Sequence, residues 1–342
     1  MDKVACRDIA LDLGTTSVQV AVRGRGILLE EPSIVAVERR TGKPVAVGEA
    51  ARQMLGRTPG DLIAVRPLEQ GSIADCTLAE EMVAAFLRKA LPHWLFKPRL
   101  LVCVPSGSAE VAERAVVEAG LRAGARKVYL IEEPLAAALG AGIDIRQPQG
   151  HLVADIGGGT TDIAVIALGG VAASACLTTA GDQFDQALIQ AVRQNHDLLL
   201  SARTARAVKE TIGQVSGAGG TSLTVKGRCL STGLPRAISL TAQETAEAFA
   251  PAAEVIVAAV HRVLERTPPE LAADVAEHGL LLTGGGSLLR GLDALLTQRT
   301  GIRAQVAESP VQAVALGLVQ TLPQLSKRQE GVLHLARRQW SV

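Results

Sequence analysis

Two stretches of this chain carry residue types suited to holding phosphate. The first is His151–Gly170. An apolar run ends in Asp155-Ile156-Gly157-Gly158-Gly159-Thr160-Thr161-Asp162, and a second β-branched run follows. That pattern predicts strand, tight turn, strand. Three successive glycines permit positive φ and leave no side chain between backbone and ligand. Amide groups in such a turn can cradle a phosphate. The hydroxyls of Thr160 and Thr161 can bond phosphate oxygens or an ion-bound water. Asp155 and Asp162 can hold Mg²⁺ through its waters, because Mg²⁺ surrenders its hydration shell reluctantly. The second stretch lies near the start, where Asp12-Leu13-Gly14-Thr15-Thr16-Ser17 sits between two apolar runs in the same order. One such turn could be an ordinary hairpin. Two copies predict a duplicated core that grips one phosphate chain from both sides.

Two further stretches extend the pattern. Thr283-Gly284-Gly285-Gly286-Ser287 follows an apolar run and opens a helix-like segment. Glycines before a helix N-terminus suit a nucleotide. Glu132-Glu133-Pro134 follows the strand-like Val128–Ile131 and begins a helix with Pro in its first turn. Carboxylates there complement the helix dipole whether or not they do chemistry.

The elements that must position these turns come next. The chain has 342 residues, enough for two domains with cores. Lys and Arg number 35 against 34 Asp and Glu, so net charge gives nucleic-acid binding no support. No apolar run approaches the roughly 20 residues of a membrane span. The first residues lack a secretion-signal pattern. Five cysteines are scattered without metal or disulfide spacing, which suits a reducing cytosol; Cys103 and Cys176 read as buried packing residues. Strands are expected over 8–37, with helices following Thr77 as N-cap, Asp182 as N-cap, Ser201 as N-cap and Thr241 as N-cap. The segment Pro92-His93-Trp94-Leu95-Phe96-Lys97-Pro98 places large apolar residues on a proline-bounded loop beside a Lys. Trp94, Leu95 and Phe96 there suit a membrane interface; packing onto the domain body is the other reading. Residues 331–342 are expected to form a frayed tail.

The order hairpin, hairpin, glycine turn resembles the actin, sugar kinase and heat-shock chaperone superfamily. Within it the chain resembles the MreB family of bacterial actin-like rod-shape-determining proteins. The narrower matches are Gly26-Ile27-Leu28-Leu29-Glu30-Glu31-Pro32-Ser33, Met54-Leu55-Gly56-Arg57-Thr58-Pro59-Gly60, Val104-Pro105-Ser106-Gly107 and Tyr129-Leu130-Ile131-Glu132-Glu133-Pro134. The resemblance extends over about residues 5–320. It implies an α/β, actin-like fold, a duplicated ribonuclease H-like core in two lobes around a nucleotide cleft. The first lobe core would span 1–32, 66–145 and 315–330, with a small subdomain at 33–65. The second would span 146–181 and 246–314, with a small subdomain at 182–245.

The resemblance also assigns roles. ATP and Mg²⁺ are the implied cofactors. Asp12 and Asp155 would hold Mg²⁺ through water. Gly14, Thr15, Thr16, Ser17, Gly157, Gly158, Gly159, Thr160 and Thr161 would hold phosphates, with Gly181 and Asp182 close by. Gly284, Gly285, Gly286 and Ser287 would line the adenosine side. Glu133 would position the attacking water, with Thr160 as its partner. On the helix over 201–212 the family carries a glutamate and a lysine that contact ribose and base. Lys209 matches the lysine, but Arg206 stands at the glutamate's position, and Thr211 replaces another family acid. The implied function is a weak ATPase that polymerises into filaments on the inner face of the cell membrane and guides cell-wall elongation. Its partners would be further copies of itself, the membrane surface, a membrane adaptor and elongation proteins. The alternatives are a sugar-type kinase of the same superfamily or a specialised paralogue.

Overall fold

The computed structural model describes residues 8–54, 61–92, 97–216, 220–326 and 339–341. The chain opens with β1 (Asp8–Leu13), β2 (Ser17–Val22) and β3 (Gly26–Pro32), an antiparallel meander whose first two strands are largely buried and whose third is half-buried. β4 (Val35–Glu38), β5 (Pro44–Val47), α1 (Glu49–Met54) and β6 (Leu62–Val65) build a separate small sheet in the order β5-β4-β6. β7 (Leu68–Glu69) and β8 (Ser72–Ile73) form a hairpin whose tip, Gln70-Gly71, has positive φ at both residues. That is the twist-matched turn for a two-residue hairpin. α2 (Cys76–Ala90), β9 (Arg99–Val104), α3 (Glu110–Arg122), β10 (Lys127–Glu132) and α4 (Glu133–Gly140) complete the first half.

The second half repeats the plan. β11 (His151–Ile156), β12 (Thr161–Ala167) and β13 (Gly170–Leu177) are again an antiparallel meander. α5 (Gly181–His196), β14 (Leu198–Leu199), α6 (Ala202–Ile212), β15 (Ser222–Cys229) and β16 (Pro235–Thr241) follow, the three strands forming another small sheet. Then come α7 (Ala242–Glu265), α8 (Pro269–His278), β17 (Leu280–Thr283), α9 (Leu292–Thr300), β18 (Ala304–Val306) and α10 (Ala313–Thr321). The large sheets run β3-β2-β1-β9-β10 and β13-β12-β11-β17-β18. Each is three antiparallel strands continued by two parallel ones, so the duplication read from the hairpins is the duplication of the fold. β19 (Gln339–Ser341) pairs antiparallel with β10 at the sheet edge. These three residues, expected in a frayed tail, cover main-chain groups that an edge strand would otherwise expose.

Three apolar clusters hold the halves. One packs the first sheet on α2 and α3 around Met82, Phe86 and Leu100. A second packs the other sheet on α5 and α7 around Phe184, Phe249 and Ile256. The third joins the halves, uniting Ala10, Leu101 and Ile131 with Val153, Ala164 and Ile166 through α4 and α10. The two helices meet backbone to backbone. A Cβ at Gly140 would lie 1.7 Å from Ala313 O, and one at Gly317 would lie 1.8 Å from Ala136 O.

Helix starts follow local chemistry, with two corrections. Ser201 caps α6 through Thr204 N–H, and Thr241 with Glu244 forms a reciprocal capping box on α7. The cap of α2 is Asp75, which accepts from Leu78 N–H, so Thr77 lies inside the helix. A carboxylate two residues upstream is the stronger acceptor for the free amides. The helix expected to be capped by Asp182 starts at Gly181, and Asp182 sits in its first turn.

Candidate functional site

The hairpin tips of the two halves meet at a cleft of about 970 Å³. Asp12, Gly14, Thr15, Thr16 and Ser17 line it from the β1–β2 turn, and Gly157, Gly158, Gly159 and Thr160 from the β11–β12 turn. The glycines are required for a different reason than the sequence suggests. None of Gly157, Gly158 and Gly159 has a positive φ. What they lack room for is a side chain. A Cβ on Gly158 would lie 1.7 Å from Thr16 Oγ1, and one on Gly159 would lie 2.7 Å from Thr15 Oγ1. The third turn does use the left-handed region: Gly284 has φ +78°, and its missing Cβ would lie 2.3 Å from Ile156 O. Gly284, Gly285 and Gly286 line the cleft.

Three carboxyl groups share the cleft floor. Asp12 lies near the end of β1, Asp155 near the end of β11, and Glu133 opens α4, so each half supplies one strand-end aspartate and the first half adds the acid at a helix start. Burial pushes Asp12 up to about 7, with the charges of Asp155 and Glu30 adding to the rise. Burial likewise raises Asp155, opposed by a hydrogen bond from Thr283 Oγ1 at 2.6 Å. Glu133 is driven well above the carboxylate range by desolvation, then by Asp162, Asp155 and Asp12. It shares a hydrogen bond with Asp155, and it is the partner that keeps the proton.

Asp162, read from sequence as a second Mg²⁺ holder, is not on the cleft surface. It is fully buried and accepts from Ser106 N–H at 2.8 Å and from Cys176 Sγ at 3.5 Å. Ser106 belongs to the first half, so Asp162 braces the halves together. Burial pushes it up to about 7, against the lowering effect of that amide. Cys176, expected in the core, is an exposed residue whose thiol turns inward to Asp162.

The remaining expected residues divide. Gly181, Asp182, Arg206 and Lys209 line the cleft. Gly181 N–H donates to Gly157 O and Asp182 N–H to Gly158 O, which ties the start of α5 to the second hairpin. Asp182 pairs with Arg66 of the first half at 2.5 Å. Lys209 is held by Asp185 at 2.8 Å and by Gly181 O at 2.6 Å. Arg206 pairs with Glu210 one helical turn on, at 3.0 Å. Thr161 and Ser287 are buried outside the cleft lining: Thr161 Oγ1 donates to Thr179 O and Ser287 Oγ to Gly284 O. Trp94, Leu95 and Phe96 lie outside the described residues.

Sequence reasoning missed Arg66 and Gly71. Gly71 N–H donates to Thr15 Oγ1 at 3.3 Å, and a Cβ there would lie 2.7 Å from Thr160 Cγ2. The β7–β8 tip therefore touches both cleft hairpins. Gln70-Gly71 is readable as a hairpin turn, but nothing in the sequence says what the turn touches.

The site fits a magnesium nucleotide on its own chemistry. Thr16 Oγ1 is buried with no hydrogen-bond partner among the described residues. It borders glycine turns open to an anion. Asp12 and Asp155 offer the hard oxygen donors that Mg²⁺ takes. Among the described residues no three His, Cys, Asp or Glu side chains converge as a direct metal site, so such an ion would rely on water and phosphate oxygens.

Comparison with known proteins agrees with this geometry. The MreB/Mbl protein family model matches residues 6–330. The cell shape-determining protein Mbl of Bacillus subtilis (strain 168) is 45% identical over 327 residues, covering 94% of this chain and 98% of that protein. The cell shape-determining protein MreB of Escherichia coli (strain K12) is 46% identical over 317 residues, covering 91% of each. The crystal structure of MreB 5 of Spiroplasma citri bound to AMPPNP aligns with TM-score 0.90 and 34% identity, covering 94% of this chain and 98% of that one. A MamK double helical filament, at TM-score 0.76 and 21% identity, shares the fold.

Proposed function

The chain belongs to the MreB/Mbl family, and we propose from that premise that it is a polymerising, actin-like cytoskeletal ATPase that determines cell shape. The observation that carries this reading is the meeting of two glycine hairpins, one from each half of a duplicated fold, above Glu133. The chain resembles a relative solved with AMPPNP and another with ADP, which supports an adenine nucleotide as ligand.

The two sheets with their small subdomains act as lobes, with boundaries near residues 33, 66, 146, 182, 246 and 315. Thr15, Thr16 and the amides of Gly157–Thr160 bind the phosphates. Asp12 and Asp155 would hold Mg²⁺, which would supply charge neutralisation of the phosphate chain. Glu133 orients and deprotonates the attacking water, and Thr160 helps to place it. Glu133 holds its proton chiefly through burial and then through the charges of Asp162, Asp155 and Asp12, so a cation beside Asp12 and Asp155 would favour release of that proton to water before Glu133 acts as base. Hydrolysis then removes contacts that bridge both hairpins and lets the lobe angle relax. That relaxation is the timer of the filament.

The filament lies on the inner face of the cell membrane. There it engages copies of itself, a membrane adaptor and cell-wall elongation proteins. Trp94, Leu95 and Phe96 form the lipid contact. Among the described residues no helix is long and apolar enough to cross a membrane. The test is sedimentation of the purified chain with and without Mg·ATP and anionic liposomes, with the pellet imaged by electron microscopy. Membrane-bound filaments with nucleotide are the expected result. ATP binding without filaments would overturn the cytoskeletal reading and turn the search to a phosphoacceptor. Filaments that ignore liposomes would remove only the membrane contact.

A further inference from the structure

The duplicated fold allows each nucleotide-facing aspartate to be compared with its counterpart. β1 pairs in parallel with β9, with Leu11 opposite Val102, which sets Asp12 beside Cys103. β11 pairs in parallel with β17, with Asp155 opposite Thr283. Each aspartate takes a hydrogen bond from this neighbour. Thr283 Oγ1 donates to Asp155 Oδ1 at 2.6 Å, and Cys103 Sγ donates to Asp12 Oδ1 at 3.3 Å. Both donors are buried, with Thr283 at 0% and Cys103 at 7% exposure. The same job is done by a hydroxyl in one half and a thiol in the other.

We propose that Cys103 is a positioning residue for the nucleotide site, and that its thiol orients the Asp12 carboxylate toward Mg·ATP. The proposal rests on the magnesium-nucleotide reading of the cleft. A hydroxyl is a strong donor, and a thiol is a weak one. Asp155 is thus pinned to β17, whereas Asp12 is aimed but loosely held. The looser carboxylate can shift to meet an incoming cation while the pinned one marks a fixed position. The thiol is buried and reaches Asp12 Oδ1 across the β1–β9 pairing. Cys103 itself does not line the cleft, and it acts only through Asp12.

The test is titration of Mg²⁺ against a fluorescent ATP analogue bound to wild type, Cys103→Ala and Cys103→Ser. Cys103→Ser retains a donor at the same position. Cys103→Ala leaves the carboxylate without its partner. The Mg²⁺ concentration for half-maximal binding is expected to rise about threefold in Cys103→Ala, the low end of the hydrogen-bond range as suits a weak donor, and not to rise in Cys103→Ser. Nucleotide binding without Mg²⁺ should match in all three. A second readout needs no nucleotide. The infrared S–H stretch of Cys103, isolated as the wild-type minus Cys103→Ser difference, should move in Asp12→Asn. Equal shifts in the Ala and Ser variants, or no shift in either, would overturn the positioning role while leaving the nucleotide reading intact. An S–H band indifferent to Asp12→Asn would overturn it as well. Wild type that binds no nucleotide at any Mg²⁺ concentration would sink the cleft reading and this one with it.

Discussion

The first and second sheets share a strand plan and differ in what they place at matching positions. In the antiparallel pair β1–β2, Asp12 lies opposite Gln19, and in β11–β12, Asp155 lies opposite Asp162. Gln19 and Asp162 are therefore counterparts, and each reaches into the other half. Gln19 Nε2 donates to Val311 O at 3.2 Å, and Asp162 Oδ1 accepts from Ser106 N–H at 2.8 Å. The hairpin tips differ too. The first presents Thr15 and Thr16, the second Gly158 and Gly159, and the hydroxyl side chains occupy the space the glycines vacate. The position after β10 holds Glu133, whereas the chain after β18 leads to Pro310 and Val311. Duplication supplied the cradle twice. Divergence then gave one half the bulky hydroxyl tip and the acid at the helix start, and the other half a tip that can receive them.

Filling the vacated space should have the largest effect. Gly158→Ala puts a methyl group where Thr16 Oγ1 stands, so the tips must separate. Nucleotide affinity should fall by about 100-fold, the scale expected when a glycine position made for close approach is filled. Thr16→Gly in the same chain should recover part of the loss, because it vacates the opposing tip. A Gly158→Ala protein that binds nucleotide normally by calorimetry would show that the tips do not pack in solution as they do here. Next in size is Glu133→Ala. Hydrolysis should slow by at least about tenfold with binding retained, which separates the half that carries the acid from the half that does not. Unchanged turnover would take Glu133 out of that role.

The cross-braces allow a finer comparison. Asp162→Ala leaves the buried Ser106 amide without its acceptor and should destabilise by roughly 2 kcal/mol, while Gln19→Ala should cost about 1 kcal/mol. Urea unfolding of the two variants gives both numbers. Equal losses would mean that the braces are interchangeable. Asp162 adds a pH dependence that Gln19 cannot. Its carboxyl is raised from 3.8 to about 7 in the folded protein. Between those values the folded state binds the proton that the unfolded state has lost. Stability should therefore fall as pH rises through this window and level off above it, by up to about 1.4 kcal/mol per pH unit for this one group. Asp162→Asn keeps the acceptor for Ser106 N–H and removes the titration, so its stability profile should be flatter between pH 4 and pH 7. An unchanged slope would assign the dependence to Asp12 and its neighbours.

Much of the fold was legible because it repeats. Asp, Gly and hydroxyl residues in one order, twice, spell two matching hairpins, and Ser201 and Thr241 mark their helices by local chemistry alone. What stayed hidden depends on long-range contact. Asp162 looks like a metal ligand from its neighbours in sequence; only the loop at Ser106 makes it a brace. Gly157–Gly159 look like a turn that needs positive φ; only the opposing threonines show that the need is for space. Thr161 and Ser287 look like ligands beside their glycines, but local bonding turns both away from the cleft. Arg66 and Gly71 carried no signal, since a lone arginine and a two-residue turn gain meaning only from what they touch.

Arg206 offers the smallest effect and the sharpest use of the comparison with relatives. It stands where the resemblance leads one to expect a glutamate on the ribose side of the cleft. In the structure its guanidinium is turned along α6 to Glu210, and its side chain is 43% exposed with Glu210 at 62%. A pair so open to solvent is worth only about 0.3–0.5 kcal/mol on a helix. Its replacement therefore removes little of its own, and Lys209, held by Asp185 and Gly181 O, keeps the start of α5 in place without it. Arg206→Ala should change nucleotide affinity by less than about threefold, a shift below the energy of one hydrogen bond. Arg206→Glu places an acid within reach of the cleft and of Arg203, another lining residue on the first turn of the same helix. If that variant tightens nucleotide binding while the alanine variant does not, the cleft has dispensed with a ribose contact that its geometry can still accept. If the alanine variant alone weakens binding tenfold, Arg206 leaves Glu210 to contact the nucleotide directly, and α6 recognises its ligand with a cation where an acid was expected.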